Sequence, residues 1–251
     1  MREKNSTKEE KIFMDVEAII FDKDGTLMDF DAFWVAVSRK AIEDILREVK
    51  REDIPIHLIL SALGINDGVA DVDGVLCKGT YEQMGQSVYD ILREYKCDIA
   101  CDEVKRKVVT AYNRNSVAGE VKPICPNLID ILSKLRNQSR KLAVATTDNK
   151  ENTHKCLKKL GIEELFDRIY TDDGQTSLKP NPHCVYEFCR NYGIKRDRVL
   201  MIGDTMTDVE FAKNAGIAFV GVGKVQKNRN VIAPYADAVI PDISYLFGIL
   251  R

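Results

Sequence analysis

The stretch Val16-Glu-Ala-Ile-Ile-Phe-Asp22-Lys-Asp24-Gly-Thr-Leu27 joins a short apolar run to a pair of carboxylates and a glycine turn. An apolar run of this length predicts a buried parallel strand over residues 16–21. Asp22 and Asp24 would then leave that strand at its carboxyl end. Two acids placed together in this way need a cation, and a capped turn is the alternative when the segment is taken alone.

Five further apolar runs of strand length follow, and helix-like segments separate most of them. They cover residues 141–146, 168–171, 198–202, 217–222 and 236–240. Strands that alternate with helices predict a doubly wound α/β fold, in which helices cover both faces of a parallel sheet. One of these helices is expected to begin with Asn181 as its N-cap and Pro182 as its first residue, and to end at Gly193. Ligands of such sheets bind beyond the carboxyl ends of the strands, so the chemistry is expected there.

Between the first strand and the rest of the sheet, apolar residues recur at helical spacing. A helical insert at this position would lie on the rim where ligands bind and would act as a lid. The expected organisation is a mobile tail over 1–14, a core over 15–29 and 122–251, and a helical cap over 30–121. The insert contains a second acidic string, Asp71-Val-Asp73-Gly. Because no strand is predicted before it, a structural turn is the favoured interpretation.

The chain has 251 residues, with 37 Lys and Arg against 39 Asp and Glu and a formal net charge of −2. This balance gives no basic surface for nucleic acid or for an anionic membrane. The sequence shows no apolar segment of transmembrane length and no signal peptide, so we expect a cytoplasmic protein. Seven cysteines are an odd number in a chain of this size, which indicates reduced thiols. A monomer and a homodimer both stay open.

Two further segments offer groups that could bind a phosphoryl oxygen. Thr146 and Thr147 come immediately after Leu142-Ala-Val-Ala in the second apolar run. A hydroxyl and backbone N–H groups could hold such an oxygen there, and an ordinary helix cap is the alternative. Lys179 precedes Pro180-Asn-Pro182, a stiff loop that would aim its ammonium group. Most lysines are solvated, which is the alternative for this one.

Gly203-Asp204-Thr-Met-Thr-Asp208 follows the run 198–202. Asp208 also fits a helix capping box with Thr205, whereas Asp204 is better explained by a metal. Together, the four segments supply two carboxylate pairs, a hydroxyl and a lysine. This combination fits phosphoryl transfer, which needs a cation held by oxygen ligands, a nucleophile and fixed positive charge.

With these residues in place, the sequence resembles the haloacid dehalogenase superfamily of phosphatases. The four motifs of that family match, in order, Asp22-x-Asp24-Gly-Thr26, Thr146, Lys179-Pro180 and Gly203-Asp204-x-x-x-Asp208. The stretch that follows Asp204 and the position of the insert look most like the phosphoglycolate phosphatase-like branch, which carries a helical cap. The resemblance therefore implies a Rossmann-like core with an inserted helical cap domain.

The resemblance also implies roles for the acids. Asp22 would attack phosphorus to form an aspartyl-phosphate, and Asp24 would protonate the leaving oxygen and then activate the hydrolytic water. Mg²⁺ would be held by Asp22, the backbone carbonyl of Asp24 and Asp204, with Asp208 binding it directly or through water. The partner would be a small phosphorylated metabolite.

For the phosphate, the resemblance implies contacts from Thr146, the N–H of Thr147 and Lys179. Two positions depart from the family pattern. Thr147 stands where many relatives have asparagine, so a side-chain contact to the oxyanion is not implied there. Lys23 stands between the two acids, where an apolar residue is more common, and we expect it to point away from the metal because alternate residues near a strand end face opposite sides.

The expected reaction is Mg²⁺-dependent hydrolysis of a small phosphomonoester, phosphoglycolate-like or a sugar phosphate. Asp24 argues against the dehalogenases and the phosphonate-cleaving enzymes of the superfamily, which lack this second acid. A phosphomutase of the same superfamily and a non-catalytic binding protein on this fold stay open. In the cap, Lys78, Thr80 and Arg114 are candidates for contacting the leaving group of the substrate.

Overall fold

The computed structural model describes Phe13 and residues 15–116, 119–172 and 179–251. The chain divides into two compact units, Met1–Leu27 with Pro123–Arg251, and Met28–Lys122. The first is called the core unit below, and the second the inserted unit.

Strands and α-helices are numbered along the chain. The strands are β1 (Ala18–Phe21), β2 (Ile65–Asn66), β3 (Val69–Ala70), β4 (Lys141–Asn149), β5 (Arg168–Asp172), β6 (Val199–Gly203), β7 (Ala218–Val222) and β8 (Ala238–Ile240). The α-helices are α1 (Ala36–Glu48), α2 (Ile56–Ala62), α3 (Val75–Lys78), α4 (Tyr81–Glu94), α5 (Cys101–Ser116), α6 (Leu128–Asn137), α7 (Lys150–Lys159), α8 (His183–Tyr192), α9 (Met206–Ala215), α10 (Gln226–Ile232) and α11 (Leu246–Ile249).

The core unit contains a six-stranded sheet in the order β5-β4-β1-β6-β7-β8. Every neighbouring pair is parallel. The predicted α/β fold with a parallel sheet is confirmed, and each of the six predicted strands forms. From β1 the chain moves to β4 and β5 on one side and then crosses to β6 on the other, and ligands of such sheets bind at the carboxyl ends of the strands where the order reverses.

Burial explains why the central strands read as continuous apolar runs. Every residue of β1 and of β6 is buried, as expected for parallel strands that are covered on both faces. Ala18 and Ile20 of β1 share one apolar cluster with Met201 of β6, Phe188 of α8 and Phe211 of α9. The sheet edge that carries the polar motifs is therefore anchored by a packed core.

The helix α8 begins one residue later than the sequence predicts. Pro182 is its cap residue, and the side chain of Asn181 accepts a hydrogen bond from the backbone N–H of His183 at 3.0 Å. The asparagine thus caps the helix from one position further out. Gly193 ends the helix as predicted, with a φ of 67° that favours glycine.

The inserted unit is mainly helical, and α5 packs against both α1 and α4. Its helices bury apolar stripes at helical spacing. These stripes contain Val37, Ala41 and Ile45 of α1, Met84, Val88 and Leu92 of α4, and Val104 and Val108 of α5.

The inserted unit also contains a short hairpin that the sequence analysis did not predict. β2 and β3 pair antiparallel around Asp67 and Gly68, whose φ angles are 52° and 78°. The expectation of no strand before the second acidic string was wrong, because an Asp-Gly turn with two positive φ angles matches the twist of a hairpin. Asp71 follows the hairpin, and its side chain accepts from the backbone N–H of Asp73 at 3.0 Å, as in a turn.

The predicted mobile tail, 1–14, lies outside the described residues except for Phe13. That residue is buried, and its N–H donates to the carbonyl of Ile249 at 2.8 Å. Phe13 therefore packs on the core unit, contrary to the expectation that it belongs to a mobile tail. Each of the seven cysteines is a free thiol. Within the described ranges, no helix combines the length and the apolar character that a bilayer crossing requires.

Candidate active site

The carboxyl ends of β1, β4 and β6 lie side by side at one edge of the core sheet. Their register places Phe21 beside Val144 and Ile202. Asp22 therefore directly follows the end of β1, between the polar residues that end β4 and those that follow β6. Its backbone N–H donates to the carbonyl of Ile202 at 2.8 Å, so the sheet fixes the position from which its carboxylate projects.

Lys179 joins two of the predicted site acids. Its Nζ lies 2.5 Å from Oδ1 of Asp22 and 2.6 Å from Oδ1 of Asp208. The exposed fractions of the three side chains are 4% for Lys179, 9% for Asp22 and 0% for Asp208. Residues predicted from three separate motifs thus meet in one nearly dehydrated ion cluster.

Asp204 lies beside the turn that follows β1. The hydroxyl of Thr26 donates to its Oδ1 at 3.4 Å. Gly25 allows this approach, because its φ is 80° and a Cβ at this position would lie only 2.1 Å from Oδ2 of Asp204. The glycine of the first motif is therefore required both by the backbone conformation and by the closeness of the acid.

The structure gives Asp208 two sets of partners. Its Oδ2 accepts from the backbone N–H and the hydroxyl of Thr205, at 3.1 and 2.8 Å. Its Oδ1 accepts from Lys179. The cap of α9 and the ion cluster thus use different oxygens of one carboxylate, and the structural and functional interpretations of this residue are compatible.

The carboxylates of Asp22, Asp204 and Asp208 could hold a metal ion. Each offers an oxygen, and these oxygens all lie within 4.8 Å of one another. Hard cations such as Mg²⁺ prefer carboxylate oxygens. The donor set therefore fits a divalent cation of this kind.

The electrostatics of the cluster support the same fit. Burial raises the pKa of Asp22 to about 7, with Asp208 and Asp24 adding to the rise and Lys179 opposing it. Burial, together with the charges of Asp22 and Asp208, also raises the pKa of Asp204 well above its ordinary value. One lysine does not neutralise three clustered acids, two of them buried, whereas a divalent cation would favour the ionised form of all three.

Thr146 and Thr147 lie inside β4, which continues to Asn149 instead of ending before them. Thr146 is buried, and its hydroxyl oxygen accepts from the N–H of Asp148 at 3.2 Å, whereas Thr147 is exposed. The cap of α7 is Asn149, whose side chain accepts from the N–H of Asn152 at 2.9 Å. The alternative interpretation of the threonines as a helix cap is therefore wrong.

Lys23 is buried at the end of β1 with no exposed side-chain surface. Its Nζ lies 2.7 Å from Oδ2 of Asp24 and 3.0 Å from Oδ2 of Asp148. Burial lowers the pKa of Lys23, but the two carboxylates outweigh this effect and leave the pKa above its ordinary value. The sequence analysis missed Asp148, although a lysine next to a buried strand is a signal that a counter-charge lies nearby.

The three cap candidates have partners within the inserted unit. Lys78 forms an ion pair with Asp73, and Thr80 caps the N-terminus of α4. Nη2 of Arg114 lies 2.7 Å from Oδ2 of Asp44. Each side chain thus has a structural role, and its contact with a substrate stays a prediction.

Comparisons with known proteins agree with the fold and with a phosphatase of this family. A sequence model of the family described as haloacid dehalogenase-like hydrolase matches residues 75–222. A phosphoglycolate phosphatase of Mannheimia succiniciproducens is 26% identical over 231 residues, which cover 92% of this chain and 96% of the relative. A pyrophosphatase PpaX of Halalkalibacterium halodurans is 29% identical over 149 residues, which cover 57% of this chain and 69% of the relative.

Solved structures show the same fold over most of the chain. A crystal structure described as a predicted phosphoglycolate phosphatase from Haemophilus somnus has a TM-score of 0.68 at 21% identity, and the match covers 94% of this chain and 98% of that one. The family model spans more than half of the sequence, and the relatives named above are phosphatases. The protein therefore belongs to the haloacid dehalogenase-like hydrolases, in the group of phosphatases that resemble phosphoglycolate phosphatase and PpaX.

Proposed function

We propose that this phosphatase hydrolyses a small phosphomonoester in a Mg²⁺-dependent reaction that passes through a phosphorylated Asp22. The observation that carries the proposal is the cluster in which Lys179 contacts both Asp22 and Asp208 beside Asp204. It combines a nucleophile, a fixed positive charge and a set of oxygen ligands at one sheet edge.

In the first step, an Oδ atom of Asp22 attacks phosphorus while the bond between phosphorus and the ester oxygen breaks. Asp24 donates a proton to the departing oxygen, so that an alcohol leaves. Lys179 would offset the negative charge that Asp22 and the phosphoryl group bring together in a buried site. The hydroxyl of Thr146 would donate to a phosphoryl oxygen, because this hydroxyl already accepts from Asp148 and its own proton is left to donate.

In the second step, Asp24 takes a proton from water as the water oxygen attacks phosphorus. The bond between phosphorus and Asp22 breaks, and the products are inorganic phosphate and the free carboxylate. Mg²⁺ bound by Asp22, Asp204 and Asp208 would supply positive charge to the phosphoryl oxygens. Asp208 is held for this role by Thr205, which fixes its other oxygen.

A second candidate substrate is inorganic pyrophosphate. The curated relatives include proteins named pyrophosphatase PpaX as well as phosphoglycolate phosphatase. The same cluster would serve either reaction, since both break a bond between phosphorus and oxygen with Asp22 as nucleophile. We propose that the inserted unit is the cap that selects the leaving group, with Lys78, Thr80 and Arg114 as candidate contacts.

Phosphate release from a panel of substrates tests the proposal. The panel contains phosphoglycolate, sugar phosphates, nucleoside monophosphates and pyrophosphate, each with Mg²⁺ or with EDTA. We expect Mg²⁺-dependent release that Asp22→Asn abolishes and that Asp130→Asn, a change at an exposed acid in α6, leaves intact.

The intermediate is tested separately by mass spectrometry after a rapid acid quench. The peptide that contains Asp22 should carry one phosphoryl group during turnover. Wild-type rates in Asp22→Asn would contradict the role of Asp22 as nucleophile. Exchange of phosphoryl groups between sugars without net release would instead indicate a phosphomutase.

A further inference from the structure

The proposed mechanism uses Asp24 but leaves two buried charges around it without a role. Lys23 has no exposed side-chain surface, and the side chain of Asp148 is 9% exposed. Both lie in contact with each other, and Lys23 also contacts Asp24. The three side chains form a buried group that is called the Lys23 cluster below.

Stability alone does not account for the Lys23 cluster. Removing an ammonium group and a carboxylate from water costs hydration free energy that their mutual attraction barely recovers, and an apolar side chain of similar size is often as stable or more stable. Position 23 lies two residues beyond the end of β1, a strand in which every residue is apolar and buried, and the side chain of Lys23 is itself fully buried. A methionine or leucine there would fill similar space without burying a charge, so the lysine at this position calls for another explanation.

The contacts of the Lys23 cluster extend to Thr146, whose hydroxyl would bind a phosphoryl oxygen in the proposed function. Oδ2 of Asp148 accepts from Nδ2 of Asn152 at 2.6 Å and lies 3.0 Å from Nζ of Lys23 in an ion pair. The backbone N–H of Asp148 donates to the hydroxyl oxygen of Thr146 at 3.2 Å. One residue thus connects the ammonium group of Lys23 to the hydroxyl that would bind phosphate and to the first turn of α7.

The contact with Lys23 holds the carboxylate of Asp24, as Lys179 holds those of Asp22 and Asp208. Asp22 and Asp208 are held by Lys179, whereas the carboxylate of Asp24 is 16% exposed and follows the end of β1. A general acid must point at the leaving oxygen within hydrogen-bond reach, and a free carboxylate would sample several rotamers. The 2.7 Å contact with Lys23 restricts this freedom.

We infer that Lys23 is a positioning residue, which holds the carboxylate of Asp24 in line with the leaving oxygen. Through Asp148, it also fixes the position of that carboxylate relative to the hydroxyl of Thr146. This inference rests on the proposed function. It assigns Lys23 no contact with the substrate. Its consequence is that loss of Lys23 impairs proton donation to the leaving group more than it impairs phosphate binding.

A pair of aryl esters separates these two effects. Phenolate is a poor leaving group that needs protonation, whereas para-nitrophenolate leaves readily without it, and the two esters have similar shapes. Because kcat/KM reports the steps up to the transfer of the phosphoryl group to Asp22, it isolates the first chemical step. We therefore compare kcat/KM for phenyl phosphate and for para-nitrophenyl phosphate in the wild type, Lys23→Met and Asp24→Asn.

Lys23→Met should lower kcat/KM for phenyl phosphate by about 10- to 100-fold, the range measured when an outer partner of a site ligand is removed. The loss for para-nitrophenyl phosphate should be much smaller. Asp24→Asn should show the same selectivity with a larger loss. Combining the two substitutions should add little to Asp24→Asn alone, since both act on the same proton transfer.

Two controls keep the test decisive. Lys158→Met removes an exposed lysine of α7 and should change neither ester. Asp148→Asn keeps the shape of the cluster and should show a weaker form of the same selectivity, which carries the test if Lys23→Met does not fold by circular dichroism. An equal loss on both esters, or no loss on either, overturns the inference. If the wild type itself releases no phosphate in a reaction that depends on Mg²⁺ and Asp22, the proposed function has failed instead.

Discussion

Removal of the ammonium group of Lys179 should destabilise the protein as well as inactivate it. In Lys179→Met, the carboxylates of Asp22 and Asp208 lose a partner at 2.5 and 2.6 Å while both stay almost fully buried. Breaking a buried ion pair in this way costs about 3–5 kcal/mol. Taking about 3 kcal/mol, a domain of this size should lose roughly 6–12 °C in Tm.

The loss should depend on pH in a defined direction. Without Lys179, the pKa of Asp22 rises further above its present value of about 7. The variant can then hold a proton on this acid at low pH, and it faces the full cost of a buried anion only at high pH. The difference in stability from the wild type should therefore grow as the pH increases from slightly acid to slightly alkaline.

Thermal unfolding in EDTA measures this effect without a metal. Lys158→Met is the matched control, because Lys158 is 70% exposed and lies 3.8 Å from its partner Glu163. Such surface pairs contribute about 0–1 kcal/mol. If Lys179→Met were as stable as Lys158→Met over this pH range, the claim that the lysine neutralises buried carboxylates would be refuted. In the activity assay, Lys179→Met should lose about 10²- to 10³-fold in kcat.

Three further predictions follow from the same contacts. In EDTA, the wild type should lose stability relative to Asp22→Asn as the pH rises from about 4 to about 7, because the pKa of Asp22 in the folded protein, about 7, exceeds its ordinary value of 3.8. Thermal unfolding at several pH values measures this difference, and a wild type that gains stability over the variant as the pH rises would contradict the prediction. Asp204→Asn should raise the Mg²⁺ concentration for half-maximal activity by at least about tenfold, as a Mg²⁺ titration would show, and an unchanged midpoint would remove this acid from the metal site. Gly25→Ala should cost about 1–3 kcal/mol in unfolding free energy and also abolish most activity, whereas Gly193→Ala, which has a similar φ and open space around it, should cost stability only.

The sequence predicts the sheet and the location of the site well, because both depend on local patterns. Apolar runs mark the buried strands, and polar residues directly after them must meet at one edge if the strands are parallel. The sequence alone therefore predicts that Asp22, Asp204 and Asp208 lie together. Their grouping in space follows from the strand register.

What the sequence did not predict depends on contacts between distant segments or on small shifts of an element. One of the two carboxylate partners of Lys23, Asp148, lies more than a hundred residues away, and no local pattern marks it as a partner. The extension of β4 through Thr146 to Asn149 likewise depends on pairing with β5, whose last register pair joins Asn149 and Asp172. The hairpin β2–β3 is the exception, since its Asp67-Gly68 turn is a local pattern that predicts a hairpin.

The strand order has a consequence for how the protein is made. β1, which Asp22 directly follows, precedes the other strands of its sheet in the chain, yet its residue Ala18 pairs with Lys141 and Val199. In a nascent chain, β1 therefore stays unpaired with its neighbours in the sheet until β4 and β6 have left the ribosome. The inserted unit, Met28–Lys122, is a compact unit of its own and is synthesised in the meantime. Long loops of this kind slow folding and expose apolar strands, so the position of Asp22 is among the last features of the molecule to be completed.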